Sequence, residues 1–300
     1  MQNYFQVAKE LLTIRDFMRF AMTELNKNNA FFGHGTDNAW DESISLVLHV
    51  LHLPHDIDQA ILDARLIEEE RNKIVELLWH RVHDRIPTPY LIHESWFSGL
   101  SFYVDNRVLI PRSPIAELIE NRFAPWIHED QVKSILDIGT GSGCIAIACA
   151  LAFPFVDVDA VDVSQDALTV AKINVEKYSL EDRVHLVTSD VFSNIFAKKY
   201  DVIVSNPPYV DQEDMANLPE EYRHEPELAL KAGGDGLAIV EQILQSAYNY
   251  LNDKGILIVE VGNSAAALIE KYPNLPFVWL EFLHGHAEIF LLNKEDLQKI

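Results

Sequence analysis

Cysteine is scarce in this 300-residue chain: Cys144 and Cys149 are the only two, five apart in one apolar helix-like stretch. That usage excludes a disulfide framework, offers no zinc-ligand spacing and fits a reducing compartment. Long hydrophobic runs are missing as well. No stretch of about 18 apolar residues is present to span a bilayer as a helix, and the opening residues MQNYFQVAKELLTIRDFMRF lack the basic-then-apolar order of a secretion signal. The expectation is a soluble, cytoplasmic protein. Positive charge is in short supply, with 24 Lys and Arg against 46 Asp and Glu, a formal charge of -22. Such a balance repels a phosphate backbone, and no Lys/Arg run offsets it, so a free nucleic-acid duplex is a poor partner. The deficit is uneven: residues 1–112 carry 16 acids and 11 bases, whereas residues 113–300 carry 30 acids and 13 bases. An acidic field of that kind keeps a chain soluble and also speeds encounter with a basic partner. Internal repeats and low-complexity tracts are absent.

What is present is a sizeable core composition, 48% hydrophobic, enough for one large domain or a medium one with a companion. Over 4–25 and 59–83 apolar residues recur at helical spacing, as in Phe5, Ala8 and Leu12, then Ile74, Leu77, Leu78 and Val82. Between them, residues 31–42 form a loop rich in Gly, Asn and Asp that ends in a helix start; His34 there reads as a surface or capping residue before it reads as a ligand. Residues 89–112 are aromatic and β-branched, with turn signals at Gly99 and Asp105-Asn106, which reads as a hairpin linking two domains. From Lys133 onward, strand-like segments at 133–138, 156–162, 183–188, 200–205, 255–261, 276–282 and 286–292 alternate with helix-like ones. That alternation implies βαβ units and a largely parallel sheet, while the last two strands, joined at His284-Gly285, can pair antiparallel.

Chemistry gathers where those strands end. After the strand at 133–138 comes Gly139-Thr140-Gly141-Ser142-Gly143, a turn that lets the backbone lie close to a ligand and exposes unsatisfied N–H groups at a helix start. Nineteen residues beyond Gly143, the second strand ends at Asp162, where an acidic side chain in a doubly wound fold accepts hydrogen bonds from ribose hydroxyls. The third ends at Ser189-Asp190. The fourth ends at Asn206-Pro207-Pro208-Tyr209, a double proline that continues neither strand nor helix. Each X-Pro bond holds its predecessor extended, so the Asn206 amide, carbonyls without neighbouring N–H donors and the Tyr209 ring are displayed in fixed directions. Alone, that run fits a plain turn as well as a seat for a planar NH2 group. Polar residues at four successive strand ends favour a site, since open α/β sheets bind ligands there. A dinucleotide oxidoreductase uses a similar first turn but has no use for the fourth.

Asp137-x-Gly139-x-Gly141-x-Gly143, the acidic end of the second strand and Asn206-Pro207-Pro208-Tyr209 together resemble the class I methyltransferases dependent on S-adenosylmethionine. Adenine-N6 and protein glutamine methyltransferases share the last motif. The flanks VLIPRSPIAELI (108–119) and EYRHEPELALKAGGDGL (221–237) resemble the glutamine methyltransferases, and the resemblance runs from about residue 5 to about 295. Release-factor members usually carry Pro-Arg-Pro-Asp-Thr-Glu where this chain has Pro111-Arg112-Ser113-Pro114. The Ser-Pro form, with the loop Gly33 to Asn38, is similar to the branch acting on large-subunit ribosomal protein L-three. The resemblance implies an α/β fold, a seven-stranded doubly wound sheet, and three parts: a helical substrate-recognition domain (1–88), a β-hairpin linker (89–112) and a methyltransferase domain (113–300). It implies S-adenosylmethionine as cofactor, on Asp137, Gly139, Thr140, Gly141, Ser142, Gly143, Asp162, Asp190, Val191 and Asn206. Other members carry a tryptophan at the position of Val191. Asn206, Pro207, Pro208 and Tyr209 would hold the glutamine carboxamide, and the partner would be a basic ribosomal protein, with no metal and no membrane. Behind this reading stand a release-factor glutamine methyltransferase, an adenine-N6 methyltransferase and a non-catalytic ribosome assembly factor. Glu225 and Glu227 read equally as contacts to a basic substrate or as structural carboxylates pairing with Arg223.

Overall fold

The computed structural model describes residues 1–283 and 288–299. It divides into two compact units, one of Met1–Glu94 with Pro219–His224, the other of Ser95–Leu218 with Glu225–Ile300.

The first unit is helical: α1 (Gln2–Glu10), α2 (Ile14–Lys27), α3 (Ala39–Val50), α4 (Glu68–His83) and the short α5 (Thr88–Ile92). The helical spacing over 4–25 is divided between two helices. Thr13 breaks the run with a capping box, its hydroxyl accepting from the Asp16 amide (3.2 Å) while the Asp16 carboxylate accepts from the Thr13 amide (2.9 Å). Asn38 caps the start of α3, its side-chain oxygen taking the Asp41 amide at 2.9 Å. Apolar faces of α2, α3 and α4 meet in a core that includes Phe17, Leu25, Leu46, Ile74 and Leu78. Within it lies Arg81, 1% exposed. Its guanidinium donates to Glu42, to Glu221 (3.0 Å) and to the Phe31 carbonyl (2.7 Å), and Thr88 donates to Glu42 at 2.6 Å. Glu221 also accepts from the Phe31 amide at 2.9 Å, so the Pro219–His224 segment is fastened into the helical core by a charge buried on both sides.

The second unit opens with the hairpin β1 (Ser95–Phe97) and β2 (Leu100–Phe102), shorter than the 89–112 span of the sequence pattern. Residues 103–114 then run without a strand to α6 (Ile115–Glu120). The sheet follows: β3 (Ser134–Ile138), α7 (Cys144–Ala152), β4 (Asp157–Asp162), α8 (Gln165–Lys177), β5 (Val184–Thr188), β6 (Tyr200–Ser205), α9 (Gln212–Asn217), α10 (Ala238–Tyr250), β7 (Leu251–Glu260), α11 (Ala265–Lys271), β8 (Val278–Trp279) and β9 (Ile289–Asn293). Seven strands lie in the order β5-β4-β3-β6-β7-β9-β8, parallel except for β9, which runs antiparallel to both neighbours. The His284-Gly285 connection lies outside the described residues. Alternation places Ile135, Val202 and Val204 in one core layer with α7, and Leu136, Ile203 and Leu257 in the other with α10. Burying each such side chain contributes about 1.5–3 kcal/mol. The connections reverse direction at β3, β4 and β5 lying to one side and β6 to the other, which opens a crevice past the ends of β3 and β6.

Candidate active site

The turn after β3 is held by its own backbone. Gly139 and Thr140 amides donate to the Val161 carbonyl at 2.9 and 3.0 Å, and the Gly143 amide donates to the Thr140 carbonyl at 2.8 Å. Gly141 has φ +55, and a Cβ built there would meet nothing within 4 Å, whereas one on Gly143 would press on Ala171 at 3.3 Å. Gly141 therefore leaves the cleft side open, and Gly143 serves the close packing of α7 on α8. Asp137 shares the β3 face that α7 covers and is wholly buried. Its Oδ2 accepts from the Thr140 hydroxyl (2.6 Å) and from the Ala146 amide (3.2 Å), joining strand, turn and helix. Burial pushes this carboxyl up to about 7 against those two hydrogen bonds, with the nearby Asp162 charge adding to the rise.

Asp162 lines the cleft. One of its oxygens takes the Gly141 amide at 2.9 Å and the other the Ser164 amide at 2.8 Å. Burial raises its pKa, the two amides opposing. At the end of β5, Ser189 donates its hydroxyl to the Val191 carbonyl at 2.9 Å. Val191 has φ +48, a left-handed conformation that costs a β-branched residue about 1–3 kcal/mol. It and Asp190 line the same cleft.

Past β6, Asn206, Pro207 and Pro208 line the same cleft beside the glycine turn, and a Cβ on Gly139 would lie 3.9 Å from the Asn206 carbonyl oxygen. Tyr209 is tied back behind them: its hydroxyl donates to Glu260 at 3.0 Å, and its carbonyl accepts from the Ser264 hydroxyl at 2.8 Å. Residues 107–113 form another wall, fixed by Glu225, whose two oxygens receive both terminal nitrogens of Arg112 (2.6 and 2.8 Å). The Ile110 amide adds a third bond to Glu225 at 3.1 Å. Of the two open readings of Glu225, this geometry fits the structural carboxylate, with Arg112 as a partner. Glu227 is exposed and pairs with Lys231 at 3.0 Å. Among the described residues no cluster of His, Cys, Asp and Glu has the makings of a metal site.

The methyltransferase small domain family matches residues 121–253. A ribosomal protein uL3 glutamine methyltransferase of Francisella tularensis is 47% identical over 299 residues, covering 99% of this chain and 95% of the relative. Its counterpart in Neisseria gonorrhoeae is 50% identical over 293 residues, covering 97% and 98%. The chain belongs to the uL3 glutamine methyltransferase family. Among solved structures, the hMettl16 catalytic domain in complex with the MAT2A 3'UTR hairpin 6 superposes with a TM-score of 0.51 at 20% identity, over 74% of this chain and 80% of that one, a likeness of fold.

In this methyltransferase one cleft thus brings together the glycine turn, Asp162, Asp190, Val191 and Asn206 to Pro208. Sequence reasoning missed the layer behind them. Glu260, Gly262, Ser264 and Gly236 all hold Tyr209, and Ser113 joins Glu260. Their contacts are long-range, and the one local signal was the glycine in Val261-Gly262 just past a strand end. His34, read from the sequence as a surface or capping residue, is instead buried, with its ring 4.5 Å from that of Tyr222.

Proposed function

We propose that this methyltransferase moves a methyl group from S-adenosylmethionine to the side-chain amide nitrogen of a glutamine in ribosomal protein uL3. The reading rests on a single cleft lined by both the glycine turn and the Asn206-Pro207-Pro208 loop. The residues present suit the cofactor. Gly139 and Gly141, at φ +73 and +55, keep the turn free of side chains on the cleft side. Asp162 presents a half-buried carboxylate whose remaining lone pairs suit ribose hydroxyls, and Asp190 and Val191 would border the adenine. Asp137 acts one step behind, by fastening Thr140. When bound, the cofactor supplies an electrophilic sulfonium methyl.

An amide nitrogen is a poor nucleophile because its lone pair is delocalised, so the chain's task is chiefly alignment. The Asn206 side-chain oxygen and the Pro207 carbonyl are acceptors held rigid by the double proline. They draw on the two N–H bonds of the carboxamide as positive charge develops on nitrogen, and no strong base is needed before attack. Pro208 closes the side of the site where an N–H donor would compete. The helical unit would recognise the substrate protein, and the acidity of residues 113–300 suits a basic ribosomal partner in the cytoplasm. Incubating the enzyme with labelled S-adenosylmethionine and extract from a strain lacking it, then locating the label by mass spectrometry, should find a glutamine of uL3. Asn206→Ala should lower turnover about 10²–10³-fold while the calorimetric cofactor affinity stays at the wild-type value; unchanged turnover at saturating cofactor would refute its role.

A further inference from the structure

Behind the Asn206-Pro208 loop lies a carboxylate that the chemistry above does not use. Glu260 ends β7, and the register that sets Ser205 beside Val259 brings it level with Asn206, just past the end of β6. It is 3% exposed. Its two oxygens each receive one hydroxyl: Oε1 from Tyr209 at 3.0 Å and Oε2 from Ser113 at 2.5 Å. Ser113 lines the cleft and carries the 107–113 wall; Tyr209 directly follows the cleft-lining Asn206-Pro207-Pro208 loop. One buried group therefore spans two walls of the site.

The surroundings of Tyr209 are built to keep it there. A Cβ on Gly262 would lie 2.5 Å from its ring, and one on Gly236 would lie 2.4 Å from its carbonyl oxygen, so both positions are open to glycine alone. Ser264 grips the same carbonyl at 2.8 Å. For stability alone a phenylalanine facing an apolar residue would serve as well or better, because a buried carboxylate carries a desolvation cost that two hydroxyls only partly offset. What the carboxylate adds is direction, since each oxygen fixes one donor.

We propose that Glu260 is a positioning residue for methyl transfer: by holding Tyr209 and Ser113 at once, it sets the spacing between the Asn206-Pro207-Pro208 acceptors and the 107–113 wall. The proposal rests on the reading of the site given above. Because β7 is paired on both sides, β6 parallel and β9 antiparallel, the anchor sits on a rigid strand, where a small displacement of the loop is resisted.

A double-mutant cycle tests it. Glu260→Gln keeps the shape but replaces one acceptor with an N–H donor, and Tyr209→Phe removes the phenol. Each should lower kcat about tenfold, and the double variant no more than the worse single one, because both break the same link. Cofactor dissociation constants from calorimetry should stay within about twofold throughout, since Glu260 is not among the cleft-lining residues. Losses that multiply, an unchanged kcat in E260Q, or a loss confined to cofactor binding would overturn the proposal. Should E260Q fail to fold, E260D with Y209F runs the same cycle with the charge retained and the reach shortened. Rates are taken as total label incorporated into ribosomal protein, so a label found on a residue other than glutamine would refute the substrate reading and leave the ratios interpretable. No incorporation by the wild-type enzyme would refute both.

Discussion

Both units bury carboxylates, and they treat them in opposite ways. In the helical unit the acids face arginine. Burial by itself would push Glu221 up, but the Phe31 amide and the Arg81 guanidinium outweigh it and hold its pKa below the usual glutamate range. In the sheet unit three acids around the cleft, Asp137, Asp162 and Glu260, face hydroxyls and amides. Burial prevails there: Asp137 rises to about 7, and Asp162 and Glu260 rise as well. Glu225, clamped by Arg112, carries the helical unit's solution into the sheet unit. Full charges thus fasten the scaffold, while neutral donors hold the groups nearest the chemistry, where each oxygen's direction matters more than its charge.

The contrast breaks first at Arg81. Arg81→Met leaves Glu42 buried without a cation and Glu221 with only Arg85, 3.5 Å away, and should cost the helical unit about 3–5 kcal/mol. Hydrogen exchange of the α3 and α4 amides would report it as lost protection, with the amides of β3 and β6 as the internal reference; undiminished protection in α4 would mean that the buried charge is not what holds this unit.

A smaller effect sharpens the other side. Asp137 has a folded value of about 7 against an ordinary 3.8. Between those values the folded state binds the extra proton, so its contribution to stability is complete below about pH 4 and is lost as pH rises towards 7. Glu221, held low, has the opposite sign: its contribution is present above the ordinary glutamate range and lost as pH falls through its lower folded value. Asp137→Asn should therefore flatten the pH dependence of the melting temperature between pH 5 and 7, and a slope identical to wild type would contradict the protonation difference. The smallest effect is a control within the helical unit. Lys73 pairs with Glu76 at 3.0 Å on the exposed face of α4, and Lys73→Gln should change stability by no more than about 0.5 kcal/mol.

Much of this arrangement was legible in the chain. Strand-like segments located the strands from β3 to β7 because strands buried on both faces leave runs rich in Val, Ile and Leu, and four strand ends gave the polar residues of one cleft. The break within 4–25 left no mark on the apolar spacing, which continues through Leu11 and Leu12, and only the Thr13-x-x-Asp16 pattern betrays it. The hairpin was overextended because residues 103–112 have strand-like composition but spend it on the wall of the cleft. Glu225, Glu260 and Glu221 could not be told apart by sequence. Each is an acid in or near a loop, and what distinguishes them is a partner 113, 147 or 140 residues away.

The last of those separations bears on how the protein is made. Glu221 belongs to the helical core although some 120 residues of the sheet unit precede it in the chain. During synthesis the N-terminal helices emerge first, but Arg81 must wait beside Glu42 until residue 221 has cleared the exit tunnel. A fragment ending at Glu94 would carry the same missing stitch permanently. The natural seam for a fragment or a chimera is consequently not one cut but two, with Pro219–His224 restored as a graft.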